Sequence, residues 1–258
     1  MRRPKVSIDN ADALFRYYTE YQPNVARARR AHRAISAVYT PRIEFADGAE
    51  ERIARRLDQR AGLILSPYHQ SNHDAMVVAS LPIYAEVIES LIGHTRILAK
   101  AGLYRYPLVR PFIEMMGAVP VFRSKDVPGE NEEQRAHRHR ANGLAVDLCV
   151  RQLVNRDHAA IFPGGGRDKE GTGIIQALRP GIAEMATVAV DQSAEVSIVP
   201  IGMKYGHEHA SPYVHIGMPY DVAPDDTPEF VLRRTRTDMQ AAQDAANEQY
   251  WEAWGQAA

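Results

Sequence analysis

The chain has 258 residues, 45% of them hydrophobic and 24% charged, a globular composition long enough to bury a core without disulfide or metal staples. Its 31 Lys and Arg against 32 Asp and Glu leave a net charge of −1, so no global field draws it to nucleic acid. The single cysteine, Cys149, excludes an internal disulfide framework and lies in an apolar stretch, where a buried, inert thiol is expected. No run approaches the roughly eighteen apolar residues of a membrane-crossing helix, and the basic N-terminus has no apolar signal core behind it. The expectation is one domain over 1–258 in a reducing, cytoplasmic compartment, with peripheral attachment to the inner face of the membrane left open.

In chain order, a helical pattern fills the first segment, 1–45. Within it Asn24 to Tyr39 carries Val25, Ala28, Ala31, Ile35 and Tyr39 along one helical stripe, with Arg27, Arg29, Arg30 and Arg33 elsewhere. This is a candidate membrane-contact helix, set against a helix that packs on its own domain. Strands are expected near 62–66, 118–122, 159–162, 197–202 and 213–217, alternating with helices near 74–90, 107–116, 142–156 and 181–190. That alternation across a core of about 60–220 predicts an α/β fold with a mostly parallel central sheet and helices on both faces. Residues 124–141, with Pro128, Gly129 and mixed charge, read as a mobile excursion. A last helix covers 228–254, where Trp251 and Trp254 stand three apart on one face and core packing is the favoured reading.

The most informative cluster follows the apolar run Gly62–Leu63–Ile64–Leu65–Ser66–Pro67. The next polar residues are His69-Gln70-Ser71-Asn72-His73-Asp74, at the carboxyl end of an expected buried strand, where open α/β folds place ligands. Imidazole titrates near neutrality and takes a hydroxyl proton, and a carboxylate on its second nitrogen fixes the tautomer. Five positions on a regular helix diverge by about 140°, so the pair can meet only if His69 lies in the turn and Asp74 in the first helical turn. His69 and His73 stand four apart, a spacing that also suits two metal ligands. Gln70 stands where a zinc helix carries Glu, and no third ligand is clearly spaced, so no metal is expected. The pairs His137/His139 and His207/His209 read as solvated surface.

With three later segments, this cluster resembles the glycerolipid acyltransferase family, which includes glycerol-3-phosphate and 1-acylglycerol-3-phosphate acyltransferases. The family's His-x4-Asp block is matched by His69 and Asp74. Its second block is matched by Gly117-Ala118-Val119-Pro120-Val121-Phe122-Arg123, approached by Ala99-Lys100-Ala101-Gly102-Leu103. Its third, Phe-Pro-Glu-Gly-Thr-Arg, corresponds to Phe162-Pro163-Gly164-Gly165-Gly166-Arg167, and its fourth to Val199-Pro200-Ile201. Leu178-Arg179-Pro180-Gly181 and the alanine-rich run after it resemble the family's basic-Gly-Ala helix.

The resemblance implies His69 as general base with Asp74 steadying it, and no resident cofactor. Acyl-CoA or acyl carrier protein would be the co-substrate, and a lysophospholipid or other lipid alcohol the acceptor. Lys100, Arg123 and Arg167 would hold phosphate, and Gly164, Gly165 and Gly166, free to take positive φ, would present N–H groups to an oxyanion. The family's Glu and Thr are replaced by Gly164 and Gly166. One acceptor-ordering carboxylate is therefore missing, with Asp168 and Glu170 as nearby substitutes. The Phe-Pro-Gly-Gly form is also similar to relatives that esterify uncharged alcohols. A catalytically silent lipid-binding relative is the remaining alternative.

Overall fold

A computed structural model describes residues 3–124, 129–168, 170–206 and 210–255. Two helices open the chain, α1 (Ala11–Glu20) and α2 (Val25–Ser36), followed by β1 (Arg42–Phe45) and α3 (Ala49–Asp58). Then come β2 (Gly62–Pro67), α4 (Asp74–Tyr84), β3 (Thr95–Lys100), α5 (Val109–Met115), β4 (Ala118–Val121), α6 (Glu132–Val154) and β5 (His158–Ala160). The chain closes with α7 (Gly181–Asp191), β6 (Val196–Lys204), β7 (Tyr213–Ile216), β8 (Tyr220–Asp221) and α8 (Pro228–Gly255).

The strands form one sheet in the order β1-β7-β6-β2-β5-β3-β4, with β8 on the starting half of β6. From β6 to β4 every pairing is parallel, while β7 and β8 run antiparallel to β6. The expected α/β sheet is thus present. β2, at its centre, is buried at all six positions, the double-sided burial that turns alternation into a continuous apolar run. On one face Leu63, Leu65, Val199, Ile201 and Met203 pack against Ile53 of α3 and Val77 and Leu81 of α4. On the other, Ile64, Val196 and Ile198 meet Cys149 and Leu153 of α6 and Ile182, Met185 and Ala186 of α7. Burial pushes the Cys149 thiol up to about 12, which keeps it protonated and inert as expected.

Several expectations are corrected. The stretch 124–141 is not one excursion, because α6 begins at Glu132 under a capping box in which the Asn131 side chain and Gln134 satisfy each other's backbone N–H groups. The box is visible in the sequence, but the first turns carry charges and no apolar stripe. They are held instead by ion pairs, Arg138 to Glu130 at 2.7 Å and Arg140 to Asp12 at 2.9 Å. Residues 125–128 of that stretch lie outside the described residues. The helix expected at 74–90 ends at Tyr84, two residues after Pro82, and 86–91 tighten into 3₁₀ turns.

β1, α3 and β3 were not anticipated. In β3 the reason is Arg96, which interrupts the apolar run yet is buried, its guanidinium donating to the Tyr21 carbonyl at 2.6 Å. The apolar stripe of α2 is also spent internally. Ala28, Ala31 and Ile35 are buried, and the last two pack with Ala79 and Met116, so α2 packs on its own domain, the reading set against membrane contact, with Val25 left exposed. Trp251 and Trp254 do not pack in the core, being 60% and 45% exposed. His137 and His139 are exposed as expected, and His207 and His209 lie outside the described residues.

His158 gives a pH-dependent stability. It opens β5, is buried, and its Nδ1 accepts the Leu63 N–H at 3.1 Å, which requires the neutral ring. Burial lowers its pKa from 6.5 to about 4. The unfolded chain therefore binds the proton that the folded chain refuses, so stability is lost as pH falls from about 6.5 to about 4, by roughly 3 kcal/mol in all. Urea unfolding at pH 7 and pH 4.5 should show this fall, and His158→Gln, which retains an acceptor, should flatten it.

Candidate active site

β2 delivers His69 to the carboxyl edge of the sheet, and the chain turns at once into α4, whose first residue is Asp74. The turn makes the pairing that a continuous helix would forbid: His69 Nδ1 lies 2.7 Å from Asp74 Oδ2. The same oxygen accepts the N–H groups of Gln70 at 2.6 Å and Ser71 at 2.7 Å. Asp74 thus closes its own loop as well as holding the ring. Its other oxygen accepts the Tyr205 hydroxyl at 2.5 Å, and Asp74 is fully buried while the His69 side chain stays 27% exposed. Burial beside this carboxylate pushes the Tyr205 phenol well above its usual range, so it remains a donor. Phe162 packs against the imidazole at 4.6 Å between ring centroids. Nδ1 is thereby committed to the carboxylate, which leaves Nε2 for a substrate proton.

His73 does not join His69. Its Nδ1 meets the Tyr39 hydroxyl at 2.7 Å, and among the described residues no three His, Cys, Asp or Glu cluster as a metal site.

The glycine block follows β5, next to β2 in the sheet. Gly165 has φ +65 and its N–H closes a turn onto the Phe162 carbonyl at 3.2 Å. Among the three glycines only Gly165 uses the left-handed region, a correction to the expectation for Gly164 and Gly166. Gly164 is a central residue of that turn and Gly166 follows it, and the hydrogen bond that closes it uses the Gly165 N–H. A β-carbon at Gly164, where the family motif has Glu, would meet only the Gly166 carbonyl within 4 Å, at 3.7 Å, an ordinary contact.

Asp168 does not reach into that space. It accepts Tyr68 Oη at 2.5 Å and the N–H groups of Gly171 and Gly173 at 3.1 and 3.0 Å, while its own N–H donates to the His69 carbonyl at 2.8 Å. These bonds hold its pKa below the usual carboxylate range against the opposing effect of burial. Asp168 therefore fastens the glycine loop to the residue that carries the imidazole. Glu170 is exposed.

Lys100 ends β3 and Arg123 follows β4, while Arg167 leaves the glycine block after β5. All three stand at the carboxyl edge, spread over neighbouring strands. At about 4.8 Å per strand, Arg123 is roughly 14 Å across the sheet from His69. Arg167 is exposed and Arg123 half-buried. Two contributors were missed in the sequence. Tyr205 lies in an unremarkable Lys-Tyr-Gly run, and only the return of β6 beside β2 brings it to Asp74. Arg179 lays its side chain along Gly165, and the basic residue before Gly181 was a usable signal for it.

An imidazole–carboxylate pair thus stands beside a glycine turn on the carboxyl edge of a mostly parallel α/β sheet. The chain belongs to the Acyltransferase family, whose model matches residues 49–204, from α3 to the end of β6. This bears out the family indicated by the four blocks, all of which fall inside the match. The solved structure of the 1-acyl-sn-glycerophosphate (LPA) acyltransferase PlsC from Thermotoga maritima is similar in fold. Its TM-score is 0.52 at 15% identity, covering 94% of this chain and 82% of that one. No curated protein matches the chain. Among the described residues no helix is long and apolar enough to cross a membrane.

Proposed function

We propose that this protein transfers a fatty acyl group from an acyl thioester, acyl-CoA or acyl carrier protein, to the hydroxyl of a glycerolipid, with lysophosphatidic acid as the first acceptor to try. The observation that carries the reading is the His69–Asp74 pair at 2.7 Å beside the glycine turn, in a member of the Acyltransferase family. In this reading His69 Nε2 takes the acceptor hydroxyl proton as the oxygen attacks the thioester carbonyl. The N–H groups of Gly164 and Gly166 face the tetrahedral oxyanion. As the C–S bond breaks, the imidazolium returns its proton to the departing thiolate. Lys100, Arg123 and Arg167 hold phosphate groups along the carboxyl edge. No resident cofactor takes part, and the substrates themselves are the partners.

A second reading, an uncharged acylglycerol or long-chain alcohol as acceptor, is favoured by one observation: glycine occupies the position of the family's acceptor-ordering Glu, and Asp168 is bonded elsewhere. The test is purified protein with palmitoyl- and oleoyl-CoA, and with acyl carrier protein, against lysophosphatidate, glycerol-3-phosphate, monoacylglycerol and long-chain alcohols. Phospholipid product supports the first reading and neutral ester alone supports the second. Absence of ester with every donor leaves a silent lipid-binding relative.

Gly164→Glu sharpens the choice. A β-carbon at this exposed position makes only an ordinary contact, so folding should be unchanged, while kcat/KM for a phosphorylated acceptor relative to a neutral one should move by about tenfold, which corresponds to 1.4 kcal/mol. Competition between the two acceptors in one reaction measures the ratio, and an unchanged ratio would show that position 164 does not face the acceptor.

A further inference from the structure

Trp251 and Trp254 are the chain's only tryptophans, and both stand exposed in the last turns of α8. That helix runs alongside β6. Met239 lies against Ser66, Ala242 against Gly202, Gln243 against Met203 and Tyr250 against Gly206. Its end therefore passes the carboxyl edge of the sheet on the side of His69. Across the same edge, the segment leaving β3 exposes Leu103, Tyr106 and Leu108, the last at 87%, while Ile174, between Gly173 and Ile175 that Gln240 ties to α8, is exposed on the side of the tryptophans. In the order β6-β2-β5-β3 these two apolar groups flank the His69 and glycine strands, roughly 14 Å apart at one strand per 4.8 Å.

Large exposed apolar side chains gathered on one rim mark an interaction surface, and Trp and Tyr are the side chains that settle at a lipid headgroup boundary. The rim is also basic. Its segments carry Lys100, Arg105, Arg123, Arg167, Arg179 and Lys204 against Asp168, Glu170, Glu248 and Glu252, and Asp168 is spent inside its loop. Such a combination complements an anionic bilayer. α2 offers its arginines with only Val25, and Val38 just past its end, as exposed large apolar side chains and no exposed aromatic, since Ala28, Ala31 and Ile35 are buried.

We propose that this carboxyl rim rests on the surface of an anionic phospholipid bilayer, with Trp251 and Trp254 at headgroup level, so that a lipid acceptor reaches His69 from the bilayer. The inference rests on the proposed function only in taking the acceptor to be a lipid.

Because both tryptophans lie on the rim, the fluorescence of the unaltered protein reports on this face, and quenching by brominated acyl chains separates lipid contact from a movement of α8. Titration with vesicles of phosphatidylglycerol and phosphatidylcholine should shift the emission to shorter wavelength, and brominated acyl chains should quench it. Vesicles of phosphatidylcholine alone should bind more weakly. The Trp251→Ala/Trp254→Ala double variant should cosediment at least about tenfold less with an unchanged urea midpoint. Cosedimentation with unshifted, unquenched tryptophans, abolished by Arg30→Glu/Arg33→Glu, would place the contact on α2 and overturn the proposal. No partition into anionic vesicles would also overturn it. So would an emission change produced only by acyl carrier protein, which would make the rim a protein-docking face. Binding is read without turnover, so absence of ester product counts against the function and not against the docking.

Discussion

Replacing His69 by Ala is expected to lower kcat by about 10²–10⁴-fold, the usual contribution of a positioned general base, while leaving the urea midpoint nearly unchanged. The ring is partly exposed and its Nδ1 has one described polar partner, Asp74, so its removal strands little. Asp74→Asn should behave differently. Its Oδ2 faces three donors, His69 Nδ1 and the N–H groups of Gln70 and Ser71, and its Oδ1 faces the Tyr205 hydroxyl. An amide has one oxygen for these four, so either the three donors at Oδ2 meet an NH₂ group or the Tyr205 hydroxyl hydrogen loses its acceptor. The cost of stranding buried donors is about 1–3 kcal/mol. Turnover should fall about as far as in the His69 variant, because the imidazole loses its tautomer and orientation. Single-turnover assays beside urea titrations separate the two effects. Substantial turnover by His69→Ala would remove His69 as the base. A drop in kcat for Asp74→Asn with unaltered stability would show that the loop does not depend on this carboxylate.

Gly202→Ala is expected to damage the fold more than any change on the exposed surface. A β-carbon there would lie 2.1 Å from the Ala242 carbonyl oxygen and 2.7 Å from the Gln243 nitrogen. Both are backbone atoms of α8, so no rotamer relieves the contact. The helix is locked in place by Gln243, whose side-chain amide donates to the Met203 carbonyl at 2.9 Å and accepts its N–H at 2.9 Å. α8 would have to lift from β6, breaking that clasp, and the loss should be about 3 kcal/mol or more. Equilibrium urea unfolding measures it. Since α8 presents Trp251 and Trp254, a loosened helix should also alter their emission before the global transition. A variant as stable as the parent would mean that α8 can move away without penalty.

Much of the site was legible because its chemistry is local in sequence. His69 and Asp74 are five apart, and the only geometry that joins them, a strand end followed by a helix start, could be read from Ser66-Pro67 and the apolar residues after Asp74. The glycine run was legible for the same reason, but how each glycine is used was not. A run of three permits many backbone paths, and the turn onto Phe162 assigns the positive φ to Gly165 alone. Tyr205 was hidden because a tyrosine after a strand carries no signal until the sheet order puts β6 beside β2. The excursion at 124–141 was misjudged because charge without an apolar stripe reads as loop, whereas α6 begins on a capping box and ion pairs.

By itself the sequence determined the α/β class, since the alternation of doubly buried apolar runs with helical periods has one economical packing, and it determined the four blocks that mark the family. Only the tertiary structure decided which residues meet across the sheet: Tyr205 on Asp74, Asp168 between His69 and the glycine loop, and the tryptophans on the rim. Tyr205 and Asp74 stand 131 residues apart and Asp168 and His69 stand 99 apart, and nothing local distinguishes a tryptophan that packs inward from one that the end of a helix carries past the edge of the core. The physical reason is that strand order and helix length, which set these meetings, follow from the burial of the whole molecule and not from any one segment.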